Sequence, residues 1–252
     1  HQRRSDAKWK RLAVSMAVVD HLTLRQKLTW LAHFWKAASQ QHHRELRPFF
    51  GEVLPSDGVV IDVGTHSGQF AKLFASLVPN GHVHAFEPSS YALSIVRKVI
   101  KAKRVKNVTL YGYGLGDADF SAQLNIPIKK SGSLGFGLSY LGDAENETRP
   151  LAVETIKIRR LDDVVAETGI TRIDLIKADI EGSELRMLRG AEDTIAMHRP
   201  AIYLEVSDET LSRQGNNSDE LKVFLRSYDY APKGGWHAGR IAGDVLFLAQ
   251  PQ

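Results

Sequence analysis

The sequence predicts an α/β protein built on a mostly parallel sheet with helices on both faces. Three observations carry that prediction. Apolar runs of five or six residues recur at 59–63, 82–86, 108–113, 173–178 and 201–206. Stretches with helical spacing of apolar residues separate most of them. The first run closes with a carboxylate and a glycine-bearing turn, Asp62-Val63-Gly64-Thr65-His66-Ser67-Gly68. Strands alternating with helices of this length make βαβ units and a parallel sheet, and such sheets bind ligands beyond the carboxyl ends of their strands.

The 252 residues suffice for one substantial core, and the 43% hydrophobic and 25% charged fractions are those of an ordinary globular chain. Cys is absent, which excludes disulfide stapling and thiolate metal sites and suits a reducing, cytoplasmic compartment. No run of 18 or more apolar residues reads as membrane-spanning. The first residue is His1 rather than Met, so a trimmed or processed N-terminus is expected. Residues 1–50 hold ten Lys and Arg against three Asp and Glu, which leaves the remainder at −3 although the whole chain is +4. The basic character belongs to the N-terminal segment.

In chain order, residues 5–46 have helical periodicity, with Leu12, Met16 and Val19 on one stripe and Leu24, Leu28, Leu31 and Trp35 on another. Thr23 followed three residues later by Gln26 reads as a capping box, so two helices are expected, with Pro48 and Pro55 ending the region. Residues 1–57 are thus an N-terminal helical cap and 58–252 the main domain. With Trp9, Trp30, Phe34 and Trp35 on a basic background, the cap is expected to pack on the domain or on a second subunit of a homo-oligomer. A peripheral contact with an anionic membrane surface, at the inner face, is the sharper alternative.

Beyond the cap, residues 59–63 read as a buried strand, 69–77 as a helix, 82–86 as a strand, 91–103 as a helix and 108–113 as a third strand. Alternation of period two at 120–128 and 153–159 predicts an inserted β-hairpin. The Gly- and Ser-rich stretch between, 131–139, suits a lid in which Ser133 and Tyr140 could touch substrate. Helices at 161–168, 183–189 with an extension to His198, and 218–227, with strands at 173–178, 201–206 and 244–249, complete the pattern.

The chemistry is expected at four strand ends. Asp62-x-Gly64-x-x-x-Gly68 differs from a dinucleotide loop by lacking the third glycine and by placing a carboxylate ahead of the first. That carboxylate would repel a pyrophosphate and attract an ammonium. S-adenosylmethionine has an ammonium and no phosphate, so Asp62, Gly64, Thr65, His66 and Gly68 are its candidate holders. Glu87, at the end of the second strand, can accept both hydroxyls of an adenosine ribose. Gly114-Leu115-Gly116-Asp117 offers close backbone approach and an acceptor for the adenine amino group. The end of the strand at 173–178, Lys177-Ala178-Asp179-Ile180-Glu181-Gly182-Ser183-Glu184, concentrates charge where it is costly unless paired or used. Asp179 also borders the cofactor crevice, whereas Glu184 suits the dipole of the helix it begins.

These motifs resemble the FkbM-type S-adenosylmethionine-dependent methyltransferases. The resemblance rests on Ile61-Asp62-Val63-Gly64 with Gly68, Phe86-Glu87-Pro88, Gly114-Leu115-Gly116-Asp117, Leu161-Asp162-Asp163, the run from Ile173 to Glu184, and Leu188-Arg189-Gly190-Ala191. It spans roughly residues 58 to 250. It implies a seven-stranded class I (Rossmann-like) methyltransferase fold acting mostly on hydroxyls of sugars, glycolipids and polyketide products.

A sugar or alkyl hydroxyl is a poor nucleophile at neutral pH, so a base or a metal must assist it. Lys177, Asp179, Glu181 and Glu205 are the candidate catalytic residues, with Lys177 pairing to and holding a carboxylate. Asp179, Glu181 and Glu205 could equally hold a hard cation such as Mg²⁺. An amine or small secondary metabolite is the alternative acceptor, and a non-catalytic nucleotide-binding module the alternative class. No basic and aromatic track follows the catalytic edge, so no nucleic-acid partner is expected.

Overall fold

The computed structural model describes residues 11–13, 20, 22–141, 148–236 and 241–251. In chain order the elements are β1 (Arg11–Ala13), α1 (Leu24–Ser39), α2 (Arg47–Gly51), β2 (Val59–Val63), α3 (Gln69–Leu77), β3 (His82–Phe86), α4 (Ser90–Ala102) and β4 (Val108–Tyr111). Then come β5 (Gly114–Leu115), β6 (Phe120–Pro127), β7 (Tyr140–Leu141), β8 (Leu151–Arg159), α5 (Leu161–Thr168), β9 (Leu175–Ala178) and α6 (Glu184–Arg189). The chain closes with α7 (Glu192–His198), β10 (Ala201–Val206), α8 (Asp208–Ser212), α9 (Ser218–Ser227), β11 (Tyr230–Pro232) and β12 (Gly243–Ala249).

The main sheet has seven strands in the order β11-β12-β10-β9-β2-β3-β4. Its five strands from β10 to β4 are parallel, and β12 runs antiparallel to β10. Period-two alternation sends Ile61 and Val63 to one core with α5, α6 and α9, and Val60 to the other with α2 and α3. Both faces of β2 are therefore covered, which explains why its sequence is a continuous apolar run interrupted only by Asp62. The register fixes the site as well. Asp62 lies opposite Lys177, and Lys177 opposite Tyr203, all on the α3 face.

The predicted hairpin is present and larger than expected. β6 and β8 pair antiparallel from Phe120↔Ile158 to Pro127↔Leu151, and β1, β5 and β7 extend them into a second sheet of five strands. Its apolar residues, among them Ile126, Leu134, Ile156 and Ile158, share a third core with Tyr91 and Ile95 of α4 and with Trp30, Phe34 and Ala37 of α1. Cap and insertion thus pack together rather than as separate decorations.

The N-terminal region departs from the expectation in three ways. Leu12 lies in strand β1, paired in parallel with β8, not in a helix, while Trp9, Met16 and Val19 lie outside the described residues. Helix α1 does start at the capping box, with Gln26 N–H donating to Thr23 Oγ1 and Thr23 N–H to Gln26 Oε1. However, its packed face is Trp30, Phe34 and Ala37, and the stripe of Leu24, Leu28, Leu31 and Trp35 is exposed. Both stripes have helical period, so periodicity alone could not choose between them. Pro48 does not end the helical region; it occupies the first turn of α2, where its missing N–H costs nothing. No helix among the described residues is long and apolar enough to cross a membrane.

Candidate active site

A cavity of about 310 Å³ opens at the carboxyl ends of β2, β3 and β9, roofed by residues 136–141 of the insertion. Its floor is the β2–α3 loop. Gly64 and Thr65 N–H both donate to Phe86 O at 3.0 Å, which ties the loop to the end of β3. Gly64 has φ +73°, and a Cβ there would lie 2.2 Å from Asp179 O, so this position requires glycine on two counts. The loop is thereby pressed against the segment that follows β9.

Several polar atoms around this floor have no hydrogen-bond partner among the described residues: both Asp62 carboxylate oxygens, Thr65 Oγ1 and His66 Nε2. Buried polar groups are rarely left so, and each is a point at which a polar ligand can be received. Asp62 is fully buried beneath the cavity, and burial raises its pKa against the lowering influence of Lys177. Lys177 Nζ is 3.5 Å from Asp62 Oδ1, an ion pair rather than a hydrogen bond, and lies within 3.4 Å of the Val63 and Gly64 carbonyls. Burial holds His66 at about 4, so it is neutral at physiological pH.

Glu87 lines the next wall. Its Oε2 accepts from His66 N–H at 2.8 Å and its Oε1 from Ser89 N–H at 2.9 Å, which fixes both oxygens at the cavity edge. Burial pushes its pKa up to about 7, despite those two donors. Gly114 and Leu115 line the same wall as part of β5.

Asp62, Gly68, Gly116 and Asp117 were expected at the cofactor and are not among the lining residues; Asp62 lies fully buried next to Val63, which does line the cavity. Gly116 O would lie 1.9 Å from a Cβ at Gly190, so the strand end there is packed against the end of α6. The Asp117 carboxylate is taken by Arg186, which donates from Nε and Nη2 at 3.0 Å each. Gly68 caps α3 with φ +83° and shapes the turn.

At the end of β9, Asp179 and Glu181 line the cavity and Glu205 does not. Asp179 Oδ2 is 3.8 Å from Lys177 Nζ, and Glu181 Oε2 is 3.9 Å from Arg213 Nη1. Glu205 is exposed on its strand and hydrogen-bonds to Asp179. Burial first, then the charge of Asp179 and a hydrogen bond to it, push Glu205 up to about 7. Burial and Asp179 also raise Glu181. Glu184 serves the loop: its Oε1 accepts from Ile180 N–H at 3.0 Å and Gly182 N–H at 3.3 Å. Among the described residues no group of three His, Asp or Glu is placed to hold a metal ion, so the expected Asp179, Glu181 and Glu205 ligand set does not assemble. Glu205 is spent on Asp179 instead.

The sequence did not point to Phe136, Phe70 or His43. Phe136 lies on His66 with ring centroids 4.3 Å apart and planes 6° apart, and also touches His33 and Tyr91. Tyr140 lines the cavity as anticipated, whereas Ser133 is engaged with Ser131 and is not in the lining. Phe70 carries Lys177 over its face at 4.9 Å, and His43 stacks on Phe70 at 4.4 Å. Phe70 two residues after Gly68 was a readable signal; nothing in the sequence marked His43 or Phe136.

Comparison with known proteins agrees with this geometry. Residues 62–232 match the profile of the Methyltransferase FkbM domain. The chain is 30% identical over 203 residues to the 2-O-methyltransferase NoeI of Sinorhizobium fredii, covering 75% of this chain and 79% of that protein. It is 28% identical over 211 residues to the AMB antimetabolite synthetase AmbE of Pseudomonas aeruginosa, covering 71% of this chain and only 10% of AmbE. Among solved structures, the FkbM methyltransferase of Methylobacillus flagellatus KT superposes with a TM-score of 0.50 at 16% identity, covering 88% of this chain and 59% of that one, which speaks to the fold. With the profile matched over most of the domain and a 30% identical relative covered over most of its length, the chain belongs to the FkbM methyltransferase family, a class of S-adenosylmethionine-dependent enzymes.

Proposed function

We propose that the protein is an O-methyltransferase that transfers the methyl group of S-adenosylmethionine to a hydroxyl of a sugar, glycolipid or related natural product. The observation that carries the reading is the Asp179–Glu205 pair. One carboxylate borders the cavity, and the carboxyl hydrogen-bonded to it, outside the lining, is raised to about 7, the range in which a proton can be accepted and released. The name of NoeI, a 2-O-methyltransferase, supports an oxygen acceptor.

In this reading Asp62, Thr65 and His66 receive the donor's polar groups, Glu87 accepts from its ribose hydroxyls, and Gly114-Leu115 lies against its base. The bound donor supplies an electrophilic methyl on a sulfonium. Asp179 accepts the acceptor's O–H as a hydrogen bond and takes that proton as the oxygen–carbon bond forms and the sulfur–carbon bond breaks. Glu205 shares the proton, and Lys177 keeps the Asp179 carboxylate oriented toward the cavity. Glu181 faces the acceptor. In-line displacement needs mainly positioning, which the loop anchored to Phe86 O and the stacked lid provide. A metal is not part of the scheme, because the carboxylates do not converge on a common point.

Methyl-labelled S-adenosylmethionine offered with a panel of soluble glycosides and lipid-linked sugars tests the reading. Label recovered in an ether linkage on a sugar oxygen is expected. Label on nitrogen alone, or no label on any acceptor, would overturn it.

A further inference from the structure

Helix α1 carries two apolar faces, and among the described residues one of them is left exposed. Leu24, Leu28, Leu31 and Trp35 are 77%, 64%, 45% and 63% exposed, and their i, i+4, i+7, i+11 spacing lines them up as one ridge. The opposite face is anchored: Trp30 Nε1 donates to Ser94 Oγ of α4 at 2.8 Å, and His33 Nδ1 is 3.0 Å from Tyr91 OH. The exposed cations Arg25, Lys27 and Lys36 flank the ridge. On neighbouring α4, Arg97, Lys98 and Lys101 are also exposed, and Lys98 Nζ lies 5.8 Å above the Trp30 ring. None of the six has an ion-pair partner among the described residues. The chain has no Asp or Glu between positions 21 and 44 or between 88 and 116.

We propose that the outer face of α1 with the adjoining side of α4 docks on an anionic lipid bilayer. A Leu and Trp ridge bordered by uncompensated cations is the composition of a helix lying in a membrane interface, with the apolar side chains in the acyl boundary and the cations among headgroups. A two-fold contact with a second copy would set these cations against their equivalents, which opposes dimerisation through this face. A nucleic acid would engage the cations and leave the ridge in water. The position is also functional. The C-terminal turn of α1 is tied to the cofactor helix, where Ala37 O accepts from Lys72 Nζ at 2.6 Å, and His43 just beyond it lines the cavity. With the docked helix joined to α3 and followed closely by a cavity residue, a membrane-anchored hydroxyl compound is the acceptor class this placement favours; that last step rests on the O-methyl reading, whereas the docking does not.

The test is co-sedimentation of the full chain with phosphatidylcholine vesicles and with vesicles containing phosphatidylglycerol at about 30%. Binding to the anionic vesicles that weakens with salt is expected, with little binding to the neutral ones. Lys27→Gln with Lys98→Gln should weaken it roughly 25-fold, at about fivefold per cation. Leu28→Glu with Leu31→Glu should weaken it by about tenfold or more. All four positions are exposed, and unchanged S-adenosylhomocysteine binding confirms folding. Three outcomes would overturn the inference: no vesicle binding by the parent chain, vesicle binding unchanged in both variants, or a dimer or an RNA duplex complex that these variants abolish while vesicles are ignored. Vesicle binding with no label transferred to any acceptor would support the docking and overturn the O-methyl reading instead.

Discussion

Lys177 stands directly opposite Asp62 across the parallel strands β2 and β9, with Nζ 3.5 Å from Asp62 Oδ1 and 3.8 Å from Asp179 Oδ2. One buried ammonium thus connects the end of β2 to the segment that follows β9. Removing one partner of a buried pair leaves the other uncompensated. Lys177→Met should therefore cost about 3–5 kcal/mol in urea unfolding. Adding Asp62→Asn to that variant should restore a large part of the loss, and a double variant no more stable than the single one would contradict the coupling.

The loop that carries Asp62 is held at a separation only glycine allows. Gly64→Ala must adopt φ +73° and displace Asp179 O from 2.2 Å. A loss of about 1–3 kcal/mol is expected from overpacking. Cofactor affinity should fall in the same variant, because the loop and the segment after β9 move apart. Unchanged melting and unchanged affinity would show that the close approach is not maintained in solution.

The buried Glu87 imposes a pH dependence of definite sign. Its folded pKa, about 7, lies above the ordinary carboxylate value of 4.5, so its contribution is fully present below about 4.5 and is lost as pH rises through about 7. His66, held at about 4 against 6.5, acts in the opposite sense: its contribution is present above about 6.5 and is lost as pH falls toward 4. Comparing Glu87→Gln with the parent chain isolates the carboxylate. The parent should lose stability relative to the variant between pH 5 and pH 8 in thermal melts, and parallel curves would contradict the raised pKa.

For catalysis, the Glu205 carboxyl hydrogen-bonded to Asp179 should set a pH dependence. A rise in kcat/KM with an inflection near pH 7 is expected, since Glu205 sits at about 7. Glu205→Gln should move or remove that inflection while leaving cofactor binding intact, because Glu205 does not line the cavity. An unaltered profile would exclude the pair as the proton acceptor.

Phe136 closes the lid over His66 by parallel stacking at 4.3 Å. Aromatic pairs of this kind contribute about 0.5–1.5 kcal/mol beyond burial. Phe136→Ala should weaken cofactor binding by a factor of roughly 2–10 and speed its dissociation in stopped flow.

How much was legible follows from how local each determinant is. The parallel sheet, the capping box at Thr23 and the placement of Glu87, Asp179 and Glu181 at strand ends depend on period and order, which a sequence displays. β1 and β5 were not legible, because segments of three and two residues become strands only by pairing with β8. The fate of Asp117 depends on Arg186, which lies 69 residues away. The orientation of α1 turned on which of two equivalent stripes met α4, a tertiary choice. Glu205 was assigned to the cavity from its strand end, but it lies outside the lining, hydrogen-bonded to Asp179, and no sequence spacing distinguishes those positions.

Calorimetric titration of S-adenosylhomocysteine into the parent chain and Glu87→Ala tests the assignment of the cavity most directly. A single site in the parent chain, weakened by at least about tenfold when the ribose acceptor is removed, is expected. Equal affinity in both proteins, or no binding to the parent chain, would contradict it.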